Sequence, residues 1–450
     1  MKKQHYFGTD GIRGRVGSKH MNTSFMLQLG YATGVVLAER YDDPVILLGL
    51  DTRASGAMLQ SALQAGLTSA GVKVNVLGVV PTPAVAYLTQ SLRASAGVVI
   101  SASHNPYYDN GVKFFNSCGE KFSDEMELAI ESLLEKPMDL VDPLKVAGVD
   151  YLPDASGRYS EFCKSTFPSN LNLDGLNIIV DCANGATHAV APMIFHELGA
   201  NVTQIGANPN GININQDCGA TSLQALQAAI IEQSADLGIA LDGDGDRLMM
   251  VDSHGEAIDG DQILCLLTID QHQKGMLDGV VGTLMSNWGL EQALKKNGID
   301  FKRSNVGDRY VLEMLKQNSW TLGGESSGHI VDLKHTTTGD GIITALQVLK
   351  VIRESGCSLY DLKQCMQKAP QVMINVPTNG LSFDVKYYPK LQHRIEQVEL
   401  QLAGRGRVLL RPSGTEPLVR VMVEGNDSVE VKVLAKNLAD FVAETLCAEA

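Results

Sequence analysis

Short apolar runs recur along this chain, and each stops abruptly against polar, glycine-rich text. Val45 to Leu50 (VILLGL) predicts a strand, DTRASG a loop, the following segment an amphipathic helix, and AGVKVNV the change from that helix to a second strand. The order repeats from Ile178 to Thr203 (NIIV, DCANGA, a helix through Leu198, GANV) and from Val280 to Lys302 (VVGTLM, SNWG, a helix, NGIDFK). Such strand-helix-strand units place parallel strands side by side and bring their following loops to one sheet edge, where ligands of open α/β sheets bind.

Other apolar runs end in chemically dense loops. GVVI leads into Ser101-Ala102-Ser103-His104-Asn105-Pro106, LGIAL into Asp242-Gly243-Asp244-Gly245-Asp246-Arg247, and WTL into Gly323-Gly324-Glu325-Ser326-Ser327-Gly328-His329. After about residue 370 the pattern changes to a strand (VMINV), a polar helix near 385 to 403, two strands (RVLL and VRVMVEG) around a tight turn, and a final amphipathic helix. This predicts a smaller α+β domain after three α/β domains, with boundaries near 155, 255 and 370. The domains are thus 1–155, 156–255, 256–370 and 371–450.

Composition narrows the functional classes. A length of 450 residues exceeds what one core serves, and 44% hydrophobic with 20% charged residues is ordinary for a folded globular protein. No apolar run is long enough to cross a bilayer, and the basic start Met1-Lys2-Lys3 leads into polar text without a signal-type apolar stretch. Eight scattered cysteines without a C-x-x-C pair predict neither zinc sites nor a disulfide framework, which fits a cytoplasmic protein. A net charge of -14 disfavours nucleic acid and anionic membranes as partners, so an anionic ligand must meet a local basic pocket.

Asp242, Asp244 and Asp246 alternate with glycines directly after a strand, which concentrates three carboxylates where they converge on one hard cation, magnesium or calcium. An EF-hand loop is excluded because Arg247 and Ser253 stand where its glycine and glutamate belong. Arg247 beside the triad suits a metal that holds a phosphate, since a guanidinium grips a further oxygen of the same group. An acidic turn without metal is the plainer alternative.

Ser103 needs a base, a metal or covalent modification to react, and His104 and Lys113 stand close by in sequence. The competing reading is a strand-end turn, which serine, asparagine and proline all favour. Glu325, Ser327 and His329 alternate, so an extended loop offers acceptor, hydroxyl and imidazole to a polyol; a plain glycine-rich connection is the alternative. Arg411, Ser413, Gly414 and Thr415, followed by Arg420, supply guanidiniums, hydroxyls and backbone N–H groups for a phosphate, against an ordinary proline-glycine turn.

Taken together and in this order, these four loops and the opening Phe7-Gly8-Thr9-Asp10-Gly11-Ile12-Arg13-Gly14 resemble the α-D-phosphohexomutase superfamily over essentially the whole chain. The resemblance implies three related α/β domains with mixed sheets plus a C-terminal α+β domain around a central cleft. It implies that Ser103 carries a phosphoserine and that Ser103, Asp242, Asp244 and Asp246 hold one Mg2+ per subunit. Arg13, His104, Lys113 and Arg247 then serve the transfer, with Lys113 a candidate proton shuttle. Glu325, Ser327 and His329 hold the sugar, Arg411, Ser413, Gly414, Thr415 and Arg420 the second phosphate, and Gly307 and Asp308 form a further substrate-side loop.

FGTDGIRG, Asp217 to Thr221 (DCGAT) and Thr336 to Gly341 (TTTGDG) look like the bacterial amino-sugar branch of that superfamily. This implies interconversion of glucosamine 6-phosphate and glucosamine 1-phosphate for UDP-N-acetylglucosamine and cell-wall precursor synthesis. Glucosamine 1,6-bisphosphate or glucose 1,6-bisphosphate would be the activator, and a homodimer is an open possibility. Rival readings are a mannose or glucose phosphate mutase of the same superfamily, a serine-phosphate hydrolase, and a noncatalytic phosphosugar-binding protein.

Overall fold

The computed structural model describes residues 6–8, 10–378, 383–412 and 417–447. Its first sheet runs Ile12–Arg15, Asp109–Asn116, Ala96–Ile100, Val45–Leu50, Lys73–Val79, Val149–Tyr151; the second runs Ala257–Ile258, Leu248–Asp252, Leu237–Leu241, Asn177–Asp181, Asn201–Ile205. The third runs Asp300–Ser304, Gly279–Thr283, Leu322–Gly324, Ile330–Asp332. In all three, parallel strands are extended by an antiparallel hairpin, so the expected mixed sheets are present. Ala96–Ile100, Leu237–Leu241 and Gly279–Thr283 are buried at every position, which is why they read as unbroken apolar runs and not as alternating ones.

The serine, carboxylate and glutamate loops occupy equivalent places. Each joins a buried strand to its antiparallel neighbour: the serine loop after Ile100, the carboxylate loop after Leu241, the glutamate loop after Gly324. The strand expected over VVGTLM ends at Thr283, because its N–H donates to the Ser286 hydroxyl at 3.0 Å and its own hydroxyl accepts the Met285 N–H at 3.1 Å, which turns the chain.

One continuous apolar core links the first three sheets, running from Leu47 and Phe115 through Tyr159 and Phe195 to Leu264 and Ile342. The last segment is built separately, from an antiparallel sheet in the order Gln371–Pro377, Leu418–Gly425, Gly406–Pro412, and it has its own core around Leu391, Val421 and Leu438. Its polar helix starts at Pro389, later than expected, since proline suits a first helical position and Val385–Tyr387 forms a separate short turn. Fully buried Glu424 ties this domain to the third: it accepts the Trp288 N–H at 3.0 Å and Arg407 Nε at 2.8 Å, and Arg407 reaches the Ser286 carbonyl at 2.8 Å. Among the described residues no helix is long and apolar enough to cross a membrane, and all eight cysteines are free.

Candidate active site

Ser103 is buried and has a φ of 52°, a left-handed conformation that costs a serine roughly 1–3 kcal/mol and persists only where its surroundings impose it. They do so here. Arg53 Nη2 and Asn215 Nδ2 both donate to the Ser103 carbonyl at 2.9 Å, and both also reach the Asn105 carbonyl. Asp51 holds Arg53 Nε at 2.9 Å and the Ser101 hydroxyl at 2.6 Å, and Ser101 in turn accepts the Ser103 N–H at 2.9 Å. The serine hydroxyl is thereby aimed out of its own domain, where it donates to Asp242 Oδ2 at 2.6 Å.

Asp242, Asp244 and Asp246 are all buried, and they present carboxylate oxygens within 4.8 Å of one another. Burial, then the charges of Asp246 and Asp244, pushes the Asp242 carboxyl well above its ordinary range. Asp244 Oδ1 and Asp246 Oδ1 are buried without a hydrogen-bond partner. Orphaned oxygens in a crowded, oxygen-only triad fit a magnesium ion, which would satisfy them and relieve the repulsion. Gly243 allows the approach: a Cβ there would lie 2.6 Å from the Ser103 carbonyl oxygen.

Lys113 donates to Asp244 Oδ2 at 2.8 Å and Asp246 Oδ2 at 2.9 Å, and lies 3.2 Å from Asp10 Oδ2. Burial disfavours its charge, but Asp10, Asp244 and Asp246 outweigh that and hold the ammonium well above its usual range. His104 behaves oppositely: burial, then Arg247 and Arg13, lowers its pKa to about 4, so its imidazole is neutral at pH 7. Its Nδ1 lies 3.5 Å from Ser103 Oγ.

A cavity of about 600 Å³ opens beside this group, lined by Arg13, Arg247, Glu325, His329, Arg411 and Arg420 with Gly307 and Asp308. Glu325 Oε1 accepts the Gly307 N–H at 2.9 Å, and Ser327 Oγ lies 3.4 Å from Glu325 Oε2. His329 stands 3.7 Å from Asp246 and 3.6 Å from Asp308, and although burial opposes its charge, the neighbouring carboxylates raise its pKa. Arg411 and Arg420 face each other across paired strands, and burial, then the Arg420 charge, lowers the Arg411 pKa, as expected of cations gathered for an anion. Ser413, Gly414 and Thr415 lie outside the described residues.

The structure therefore brings Ser103, His104, Lys113, Arg13, the three aspartates, Arg247, Glu325, Ser327, His329, Arg411 and Arg420 to one region. Asp308 is less open than a substrate-side loop suggests, because Lys121 pairs with it. Sequence reasoning missed Arg53, Asn215, Asp10, Lys121 and Thr82. Thr82 donates its hydroxyl to Asp244 Oδ2 at 2.6 Å and its N–H to the Asp244 carbonyl at 2.8 Å. Signals existed for Arg53, in the polar loop after Val45–Leu50, and for Asp10, in the opening Phe7 to Gly14 motif; Asn215, Thr82 and the Lys121 contact with Asp308 need the domains docked.

Family models for the four phosphoglucomutase/phosphomannomutase domains match residues 4–140 (alpha/beta/alpha domain I), 157–255 (domain II), 259–369 (domain III) and 373–441 (C-terminal domain). The chain is 57% identical over 445 residues to the phosphoglucosamine mutase of Coxiella burnetii strain RSA 493, covering 98% of this chain and 99% of that protein. It is 53% identical over 449 residues to that of Pseudomonas syringae pv. tomato, covering 100% of both. Among solved structures, a phosphoglucomutase/phosphomannomutase family protein of Burkholderia thailandensis superposes with a TM-score of 0.82 at 21% identity, covering 99% of this chain and 98% of that one. An Aspergillus fumigatus N-acetylphosphoglucosamine mutase in complex with GlcNAc-6P and magnesium superposes at 0.69 with 18% identity, covering 98% and 96%.

Proposed function

This chain belongs to the phosphoglucomutase/phosphomannomutase family, and from that premise we infer that it interconverts glucosamine 6-phosphate and glucosamine 1-phosphate through a phosphoserine at Ser103. The observation that carries the reading is the aim of Ser103: its hydroxyl leaves its own domain to meet a buried carboxylate triad at the edge of a cavity ringed by arginines. A serine-phosphate hydrolase would use the same nucleophile and metal; the Glu325 loop and the separate Arg411 and Arg420 pair favour the mutase.

Phospho-Ser103 gives its phosphoryl group to one hydroxyl of the bound sugar phosphate, producing a bisphosphate. This turns end over end, and Ser103 recovers the phosphoryl group from the other position. Arg13 and Arg247 grip the oxygens of the group in flight. Arg411 and Arg420 hold whichever phosphate is not reacting, so one anion site serves both orientations. Glu325 and Ser327 accept sugar hydroxyls, and Gly307 keeps Glu325 in place.

Three carboxylates hold Lys113 as the ammonium, which makes it a proton donor for the departing group, while burial, then Arg247 and Arg13, keeps His104 neutral beside the Ser103 hydroxyl. Asp242, Asp244 and Asp246, together with the Ser103 phosphate, would hold a magnesium ion that neutralises charge on the transferring group. Glucosamine 1,6-bisphosphate or glucose 1,6-bisphosphate is the activator that reloads Ser103.

The test compares turnover of glucosamine 6-phosphate, glucose 6-phosphate and mannose 6-phosphate with Mg2+ and catalytic bisphosphate, following products by phosphorus NMR. Preference for the amino sugar with no build-up of inorganic phosphate is expected. A strong preference for a neutral hexose overturns the substrate assignment, and steady phosphate release overturns the mutase assignment.

A further inference from the structure

Six titratable side chains close into a ring at the floor of the cleft. From Lys113 the contacts run to Asp246 at 2.9 Å, to His329 at 3.7 Å, to Asp308 at 3.6 Å, then through Lys121 to Asp10, and from Asp10 back to Lys113 at 3.2 Å. Asp10, Lys113 and Lys121 come from the first domain, Asp246 from the second, and Asp308 and His329 from the third.

Lys121 is the member that joins the first domain to the third within this ring. It stands just after the turn of a hairpin, bridged to Phe115, and its side chain is 16% exposed, between two carboxylates that line the cavity. Without a cation between them, Asp10 and Asp308 repel, and each is tied to another reactive group: Asp10 to Lys113 and Arg13, Asp308 to His329. We propose that Lys121 is a positioning residue for the reaction, whose ammonium spans Asp10 and Asp308 and so fixes Lys113 and Arg13 on one side of the cleft relative to His329 on the other. The proposal rests on the mutase reading of the same cleft.

A merely adhesive role must be told apart from positioning. The same domain seam continues outward through Lys316 and Glu120 at 2.7 Å and through Thr337 Oγ1, which donates to the Gly119 carbonyl at 2.5 Å. Lys316 sits at the solvent end of the seam and touches none of the ring, so it supplies the control.

The experiment measures kcat and KM of full-length wild type, Lys121→Met, Lys121→Arg and Lys316→Met with Mg2+ and bisphosphate, alongside Tm. Lys121→Met is expected to lower kcat by roughly 10–100-fold, the scale of a displacement of about 1 Å among reacting groups, with KM within about threefold. Lys121→Arg should recover most of that loss, and Lys316→Met should match wild type. Where Lys121→Met does not fold, Lys121→Met/Asp10→Asn removes the uncompensated charge and should show the same loss of kcat. Wild-type kcat in Lys121→Met or in Lys121→Met/Asp10→Asn, failure of arginine to recover activity, or an equal loss in Lys316→Met overturns the proposal. Ratios are taken on whichever hexose phosphate the wild type turns over, so an error in the assigned substrate is seen separately, in the wild type.

Discussion

Ser103 and Asp242, from different domains and 139 residues apart in sequence, share a hydrogen bond of 2.6 Å in which the serine donates. The Ser103 hydroxyl is thus oriented by a group that its own domain does not possess, and its left-handed backbone is held by Arg53 and by Asn215, the latter again from another domain.

Ser103→Ala should abolish mutase turnover by at least about 10³-fold, because the nucleophile that stores the phosphoryl group is gone. Binding of glucosamine 6-phosphate, measured by calorimetry, should stay within about threefold, since Arg411, Arg420 and Glu325 are untouched. Comparable losses in both would show that Ser103 shapes the binding site and not only the chemistry.

Thr82→Val removes the hydroxyl that holds Asp244 Oδ2 and keeps the shape. Partners that orient metal-binding groups are worth about 10–100-fold in metal affinity, so the Mg2+ requirement should rise about tenfold, both in turnover and in calorimetric titration. Thr82→Ser should stay near wild type. Chelation of divalent ions should silence all three proteins.

Gly243→Ala places a methyl group 2.6 Å from the Ser103 carbonyl oxygen, against backbone and not a yielding side chain. The two loops must part, which should cost about 1–3 kcal/mol of stability and roughly 10²-fold in kcat. Chemical denaturation and steady-state kinetics check the two effects; unchanged kcat would show that the contact between the loops is dispensable.

Asp261 supplies a pH signature away from the cleft. Burial, then the charge of Asp259, raises its pKa from 3.8 to about 7, and its Oδ1 is buried without a partner. The folded protein therefore holds a proton that the unfolded chain releases near pH 4, so this group makes stability fall as pH rises from about 4 to about 7. Asp261→Asn should flatten that fall, leaving Tm at pH 7.5 a few degrees higher, on the scale of roughly 2–4 °C per kcal/mol. Its amide oxygen can still accept the Asn287 N–H that Asp261 now binds at 2.7 Å. An unchanged slope of Tm against pH would rule this out.

Much of the architecture was legible because buried strands write themselves as unbroken apolar runs and reactive loops as the polar text that interrupts them. Ser103, the three aspartates and Glu325 all stand in such interruptions. Other features depend on docking between domains that local pattern does not encode. Lys121 reads as a surface lysine beside Gly119 and Glu120, and Thr82 as part of a helix start. Lys113 was legible as a candidate but not in its charge state, which three carboxylates from two domains set.

The carboxylate loop is gripped from both sides: Thr82, Ser103 and Lys113 reach it from the first domain, while the third supplies His329 and the Gly341 N–H, which donates to the Gly245 carbonyl at 3.0 Å. Cation affinity is then a property of the assembled trio, and by linkage a bound ion strengthens the joints that created its site. The excised second domain would keep the acidic sequence while losing the neighbours that arrange it. These modules repeat one architecture, yet none of them can be traded alone without spoiling what the other two have in common.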